Sequence, residues 1–286
     1  MKVLEEKTAC PNCGFQPLNS SFCPKCGQRK LSDKDFYITS LFQDFFNDIF
    51  QFDNAFFKTV KNFLISPGKY AREYNSGSRK KYLSPIKLFL IANAFYFLFP
   101  IINTFTTSLS IQEYGIIYNN LTPGLIESTI SASGLSNTEF VNVYDKLTTT
   151  LSKALLIFIP FSFGIITWLL SISTRITTPI LTHLNYSLIL NAFMVLIITS
   201  VLPGVYVIFL NLFGYTNVAI NDTQITSAAF ILLNTFGYFL YRNFFGSKLW
   251  INIIRTLLLN ISFVLILFVY RFLLLLVTLG WLFLSL

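Results

Sequence analysis

Charge is what this chain has least of. Charged residues fill 12% of its 286 positions, against about 25% in a soluble domain, while aromatic residues reach 17%. That balance excludes an ordinary soluble globular domain and points to a membrane protein. Acids are the scarcer sign, 13 against 21 Lys and Arg, and none follows Asp222. No Asp or Glu lies in the long apolar stretches described below, which excludes intramembrane proteases and acid-driven carriers that need carboxylates at membrane depth. There is a single histidine, His183. Gly-rich phosphate loops and hydrolase, kinase or Rossmann signatures are all missing, so no enzyme is expected. Residues 1–32 carry no apolar run of the kind that marks a secretory signal. The N-terminal segment is therefore expected in the cytoplasm, where thiols stay reduced.

All four cysteines lie near the start, as Cys10-Pro-Asn-Cys13-Gly and Cys23-Pro-Lys-Cys26-Gly. Each CxxC turn offers two sulfurs to one side of an ion, and two such turns make the tetrahedron that Zn²⁺ prefers. Gly14 and Gly27 permit the positive φ that such a turn needs. A redox CxxC is normally single and set in a βαβ context, and a pair of disulfides suits an oxidising compartment, so both compete poorly. Four thiolates leave no open position for water, so the zinc is expected to be structural. About 25 residues bury too little core to fold without it.

Residues 32–83 read as amphipathic helices ending in a basic collar. Ser32 with Asp35 forms a capping box, with Asp33 in the first turn. Ile38, Leu41, Phe42, Phe45, Phe46 and Ile49 share one helical face, and Asp44 with Asp48 reads as a solvated one. Asp53 is the next expected N-cap, opening a helix with Phe56, Phe57, Val60, Phe63 and Leu64 inward. This Phe-rich face needs a cover, either the membrane interface or the protein's own cytoplasmic side, and the acids on the opposite face favour the latter. Ser66-Pro67 and Ser84-Pro85 repeat an N-cap and N1 device, and Asn75-Ser76-Gly77 stops the helix between them. Arg72, Arg79, Lys80, Lys81 and Lys87 form the collar, expected at the membrane surface. Of 21 basic residues 14 precede residue 88. Cytoplasmic retention and anionic headgroups explain them without nucleic acid.

The doubled CPxCG, the Phe-rich helix with Asp53 and Phe57, Pro67-Gly68, Tyr74, Gly77, Arg79, Tyr82 and Pro85 before a span together resemble domain of unknown function family 3667. The resemblance is closest over residues 10–100; His183 is its main later echo, preceded by Thr182 where the family often has an acid. It implies a bacterial multi-pass inner-membrane protein with a zinc ribbon, and no assigned activity.

Residues 84–286 read as a helical membrane domain. At about 20 residues per crossing, five spans are expected, about 85–104, 153–173, 186–210, 224–241 and 257–286. Residues 105–150 are expected as an external, soluble loop with a capping box at Ser136 and Glu139, and Pro160 is expected to bend the second span. With the N-terminus inside, 18 basic residues fall on the cytoplasmic side and two, Lys146 and Lys153, on the other, which supports that orientation. Arg271 interrupts the last stretch, which reads equally as one span or a hairpin. Arg271 is a candidate anion or lipid site; Asn93, Asn191, Asn234, Asn260 and His183 are candidate companions in a polar pocket.

The fold class expected is thus an all-α membrane protein with a small N-terminal ribbon at 1–31. Its leading function is a non-enzymatic scaffold, sensor or recruitment protein whose ribbon meets a cytoplasmic protein partner. The alternative is a transporter of a small molecule, anion or lipid with its pocket near Arg271.

Overall fold

The computed structural model describes residues 9–16, 20–30, 35, 37, 54–99, 105–114, 122–172, 178–214, 222–242 and 249–285. The expected cap at Ser32 and Asp33, the apolar face from Ile38 to Ile49, the pair Asp44 and Asp48, and the cap Asp53 lie outside them. Among the described residues ten α-helices follow in chain order: α1 Asn54–Ile65, α2 Pro67–Asn75, α3 Pro85–Leu98, α4 Leu109–Tyr114, α5 Pro123–Ser133, α6 Asn137–Leu155, α7 Phe158–Ile172, α8 Ile180–Leu212, α9 Asp222–Tyr241 and α10 Leu249–Ser285. Among the described residues the one extended pairing is a bridge between Phe22 and Arg29 in the ribbon.

The local signals behave largely as their chemistry dictates. Pro67 and Pro85 each sit in the first turn of a helix, and the Ser84 hydroxyl accepts from the Lys87 N–H. Ser66 makes no such side-chain cap; its carbonyl instead accepts from Lys69 and Tyr70. Ser136 and Glu139 form the full capping box. α6 and α7 meet at a 43° bend. The break falls at Leu156, four residues before Pro160, where the proline ring would strike the helical carbonyl. Within α8, residues Met194–Val201 widen to π geometry. Pro203 follows directly, and the wider turn absorbs the same conflict.

Two compact units form. The first holds Met1–Ile101 and Phe163–Ile261, the second Ile102–Ser162 and Ser262–Leu286. The core of the first is the start of α8, whose residues Leu181–Phe193 are all buried. Around it pack α2, α3 and α9. Gly164 lets α7 approach α8 closely: a Cβ there would lie 2.5 Å from Leu184 Cδ2. In the second unit Leu109, Ile126, Phe140 and Tyr144 close on Leu275, Leu279 and Leu282 of α10. The Tyr270 hydroxyl reaches the Phe105 and Ser152 carbonyls at 3.3 and 3.1 Å. Residues 105–150, expected as a loop, are therefore mostly helical and enclose an apolar core of their own.

Among the described residues two helices are long and apolar enough to cross a membrane, Ile180–Leu212 and Thr256–Leu284, or three if the bent pair of α6 and α7 is one span. Five spans are not supported. α3 has 14 residues, about 21 Å of helix against about 30 Å of hydrocarbon, and its first half is buried by protein. Residues 100–104, where that span was expected to end, lie outside the described set. Ser227–Tyr241 is apolar but also short. The last apolar region is one continuous helix of 37 residues, not a hairpin.

Candidate metal centre

The four sulfurs lie within 4.8 Å of one another, with Cys10 Sγ 3.7 Å from Cys26 Sγ and Cys13 Sγ 3.6 Å from Cys23 Sγ. Two matching turns put them there. In one, the Gly14 N–H donates to the Cys10 carbonyl and the Cys10 N–H to Phe15; in the other, Gly27 donates to Cys23 and Cys23 to Gln28. Gly14 and Gly27 have φ of 74° and 67°, a left-handed backbone that a side chain would strain. Cys10 and Cys23 are buried, while Cys13 and Cys26 are partly open.

Crowding makes the thiols ionise unequally. Burial would raise Cys26, but hydrogen bonds from the Asn12 side chain, the Gln28 backbone and the neighbouring thiols outweigh it and lower it to about 6. Cys13 has a favourable bond from Phe15, yet burial and its three sulfur neighbours push it up to about 12. A divalent cation relieves that opposition by holding all four as thiolates. Bonds of about 2.3 Å in a regular tetrahedron separate sulfurs by about 3.8 Å, so the observed spacing suits a metal ion. The donor set is closed, with no position left for a reacting water.

The ribbon does not hang free of the helices. The Ser78 hydroxyl donates to the Pro11 carbonyl at 2.7 Å. The Lys80 N–H donates to Gln28 Oε1 at 2.9 Å, and Gln28 Nε2 in turn donates to the Arg29 carbonyl. Arg79 donates to the Asp35 carbonyl at 2.6 Å, while Asp35 pairs with Arg29 through its side chain. These contacts join residues 44 to 67 positions apart, so no local pattern announces them. The residues Gln28, Asp35 and Ser78 are what sequence reasoning missed.

The collar is accordingly less uniform than expected. Arg72 is exposed on α2. Arg79, besides its bond to Asp35, lies 5.7 Å from the Tyr74 ring centre. Lys80 sits beside Gly27, where a Cβ would come 2.6 Å from its Nζ. Lys81 binds Glu73 at 2.5 Å, and the Tyr82 hydroxyl donates to the same carboxylate oxygen at 2.8 Å. Lys87 departs from the expectation: it is 7% exposed and belongs to the packed start of α3, not to a surface. Behind the collar the buried Tyr70 hydroxyl donates to the Leu83 carbonyl at 2.8 Å, and Leu83 N–H donates to Thr59.

The six candidate pocket residues divide between the units. Arg271 is in the second, half-buried, with its carbonyl accepting from Gln112 Nε2 at 3.1 Å. The other five are in the first. Asn260 donates to Asn234, beside an open, mostly apolar cavity of about 400 Å³ lined also by Tyr238, Ile253 and Thr256. Asn93 and Asn191 donate to carbonyls one turn back in their own helices. His183 Nε2 meets the Thr178 hydroxyl at 2.7 Å. Asn234 and Asn260 thus meet each other, while Asn93, Asn191 and His183 each bond a group outside the candidate set.

No curated protein and no solved structure matches the chain. A family model does match, over residues 53–97, which takes in α1, α2, the collar and most of α3 but not the cysteines. The signature residues named above have physical reasons inside this segment. Gly68 lets α2 lie against α9, since a Cβ would fall 2.5 Å from the Phe239 carbonyl oxygen. Gly77 has φ of 112°, Tyr74 and Tyr82 are buried, and Pro85 opens α3. It is this segment, residues 53–97, that matches the model of the family described as protein of unknown function (DUF3667).

Proposed function

We propose that this chain is an integral protein of the bacterial inner membrane, with its N-terminus in the cytoplasm and one structural Zn²⁺ in its ribbon. It acts without catalysis of its own, as a scaffold or sensor that recruits a cytoplasmic protein. The observation that carries this reading is the closed set of four sulfurs within 4.8 Å, built on a ribbon clamped to the collar. Zinc is favoured over other ions by the all-thiolate, tetrahedral donor set. The orientation rests on the distribution of basic residues. The outer face of the ribbon carries Phe22, 58% exposed, an apolar contact that such a small surface offers to a partner.

The test is photo-crosslinking from position 22 of the full chain in native membranes. A discrete cytoplasmic adduct that disappears on zinc chelation supports recruitment by the folded ribbon. An absent adduct, or one indifferent to chelation, overturns it. Cobalt substitution checks the metal separately: four thiolates give intense sulfur-to-metal absorption, which Cys23→Ser should weaken.

A further inference from the structure

α1 has two apolar faces, and among the described residues only one is covered by protein. On the inner face Thr59 and Phe63 are buried. Phe63 meets Phe193 of α8 and Phe236 of α9 with ring centres 6.1 and 5.6 Å apart. Those two rings stack at 3.9 Å. On the outer face Phe57 is 71% exposed, Leu64 51% and Ile65 72%. This corrects the expectation that Phe57 and Leu64 point inward. Lys58 and Lys61 are exposed as well, and the helix contains no acid.

The neighbours and the charge of α1 point to what covers that face. Leu181–Phe193 of α8 are all buried, as are Met194, Val195, Ile198, Thr199 and Ser200 after them. The helix becomes apolar and bare from Val201 on, with Val205, Ile208, Phe209 and Leu212 all exposed. α3 makes the same change along its length, from the buried run Pro85–Phe89 to the exposed Phe95, Leu98 and Phe99. Phe63 touches α8 at Phe193, about two turns before the bare stretch begins. A helix whose free side is apolar, with Lys58 and Lys61 on it and no acid, has the composition of an interfacial helix whose lysines snorkel to the headgroups.

We propose that α1 lies in the cytoplasmic interface of the bilayer, with Phe57, Leu64 and Ile65 in the acyl boundary and Lys58 and Lys61 on anionic phosphate headgroups. Its occupant is thus a lipid surface rather than a protein. The two lysines supply the charge complementarity, since basic groups near an anionic surface favour binding to it. The inference rests on the membrane reading above, so its test contains a control for that reading.

The experiment uses the full chain in nanodiscs of phosphatidylcholine with phosphatidylglycerol, after Trp168, Trp250 and Trp281 are replaced by Phe. A tryptophan is placed at Phe57→Trp or, as the control, at Ile208→Trp on the exposed face of α8. Lipids brominated near the carbonyl end or near the chain terminus then quench it by depth. The proposal expects Trp at 57 to be quenched about twofold more by the shallow bromine than by the deep one. It also expects shallow quenching to fall in the Lys58→Glu, Lys61→Glu double variant. Quenching at 208 with none at 57 overturns the interfacial helix while leaving the membrane reading standing. Quenching at 57 that is unchanged by the lysine replacements overturns the headgroup contact. No quenching at either position overturns both.

Discussion

Gly68→Ala separates a packing account of the matched segment from a propensity account, because the two give opposite signs. α2 is a helix, and Ala in place of Gly at a free helical position adds about 0.5–1 kcal/mol of stability. In this structure the added Cβ would lie 2.5 Å from the Phe239 carbonyl oxygen and 3.1 Å from that of Leu240. Ordinary contact begins near 3.4 Å, so α2 must retreat by about 0.9 Å from a helix backbone that cannot rotate aside. Overpacking of that kind costs about 1–3 kcal/mol, which outweighs the propensity gain. The retreat also carries Tyr70, whose buried hydroxyl holds the Leu83 carbonyl. The assay is thermal unfolding in nanodiscs, with Gly124→Ala as control, since a Cβ there meets nothing within 4 Å. The apparent Tm should fall by several degrees for Gly68→Ala, at about 2–4 °C per kcal/mol, and hold or rise for the control. A Tm that holds or rises for Gly68→Ala refutes the close approach of α2 and α9.

Other expectations follow from the collar and the second unit. Burial alone would raise the Glu73 carboxyl, but hydrogen bonds from Lys81 and Tyr82 outweigh it and hold it below its ordinary 4.5. The bond to Glu73 holds Lys81 above 10.5. The pair's stabilisation should therefore be full between those values. It is lost as pH falls through the depressed Glu73 value below 4.5, and as it rises through the elevated Lys81 value above 10.5; Glu73→Gln should flatten both limbs in pH-dependent melting. Zinc chelation should speed hydrogen exchange at the Lys80 amide by about tenfold or more, because its acceptor Gln28 sits in the ribbon and unfolds with it. In the second unit Tyr270→Phe should lower the apparent Tm, at a cost of about 1–3 kcal/mol, because its buried hydroxyl donates to the Phe105 and Ser152 carbonyls.

The metal turns and most helix starts were legible because their signals are local. CPxCG fixes a turn chemistry, Ser-Pro fixes a helix start, and Ser136 with Glu139 is a reciprocal pair three residues apart. Hydropathy was less informative about span number, since buried protein and bare lipid-facing helix read alike. α3 and the start of α8 are apolar because other helices enclose them, and that enclosure comes from contacts far away in sequence. The same limit hid the second unit: Leu275, Leu279 and Leu282 lie in a helix apolar enough to span, and they also pack on Phe140 and Tyr144. Lys87 misled for a related reason. Position near a basic run suggested a surface, whereas the Pro85 helix start turns it into the core. The span asparagines illustrate a further limit, because the amide of an Asn in an apolar helix readily donates to the carbonyl one turn back, as those of Asn93 and Asn191 do.

The central claim is that four cysteines form a closed metal centre on which the ribbon's docking to the collar depends. Native mass spectrometry of the full chain, released from membranes under reducing-neutral conditions, tests it most directly. The account predicts one zinc per chain with no disulfide, and loss of that ion in Cys10→Ser. A metal-free chain carrying two disulfides, or a zinc that survives Cys10→Ser unchanged, would contradict it.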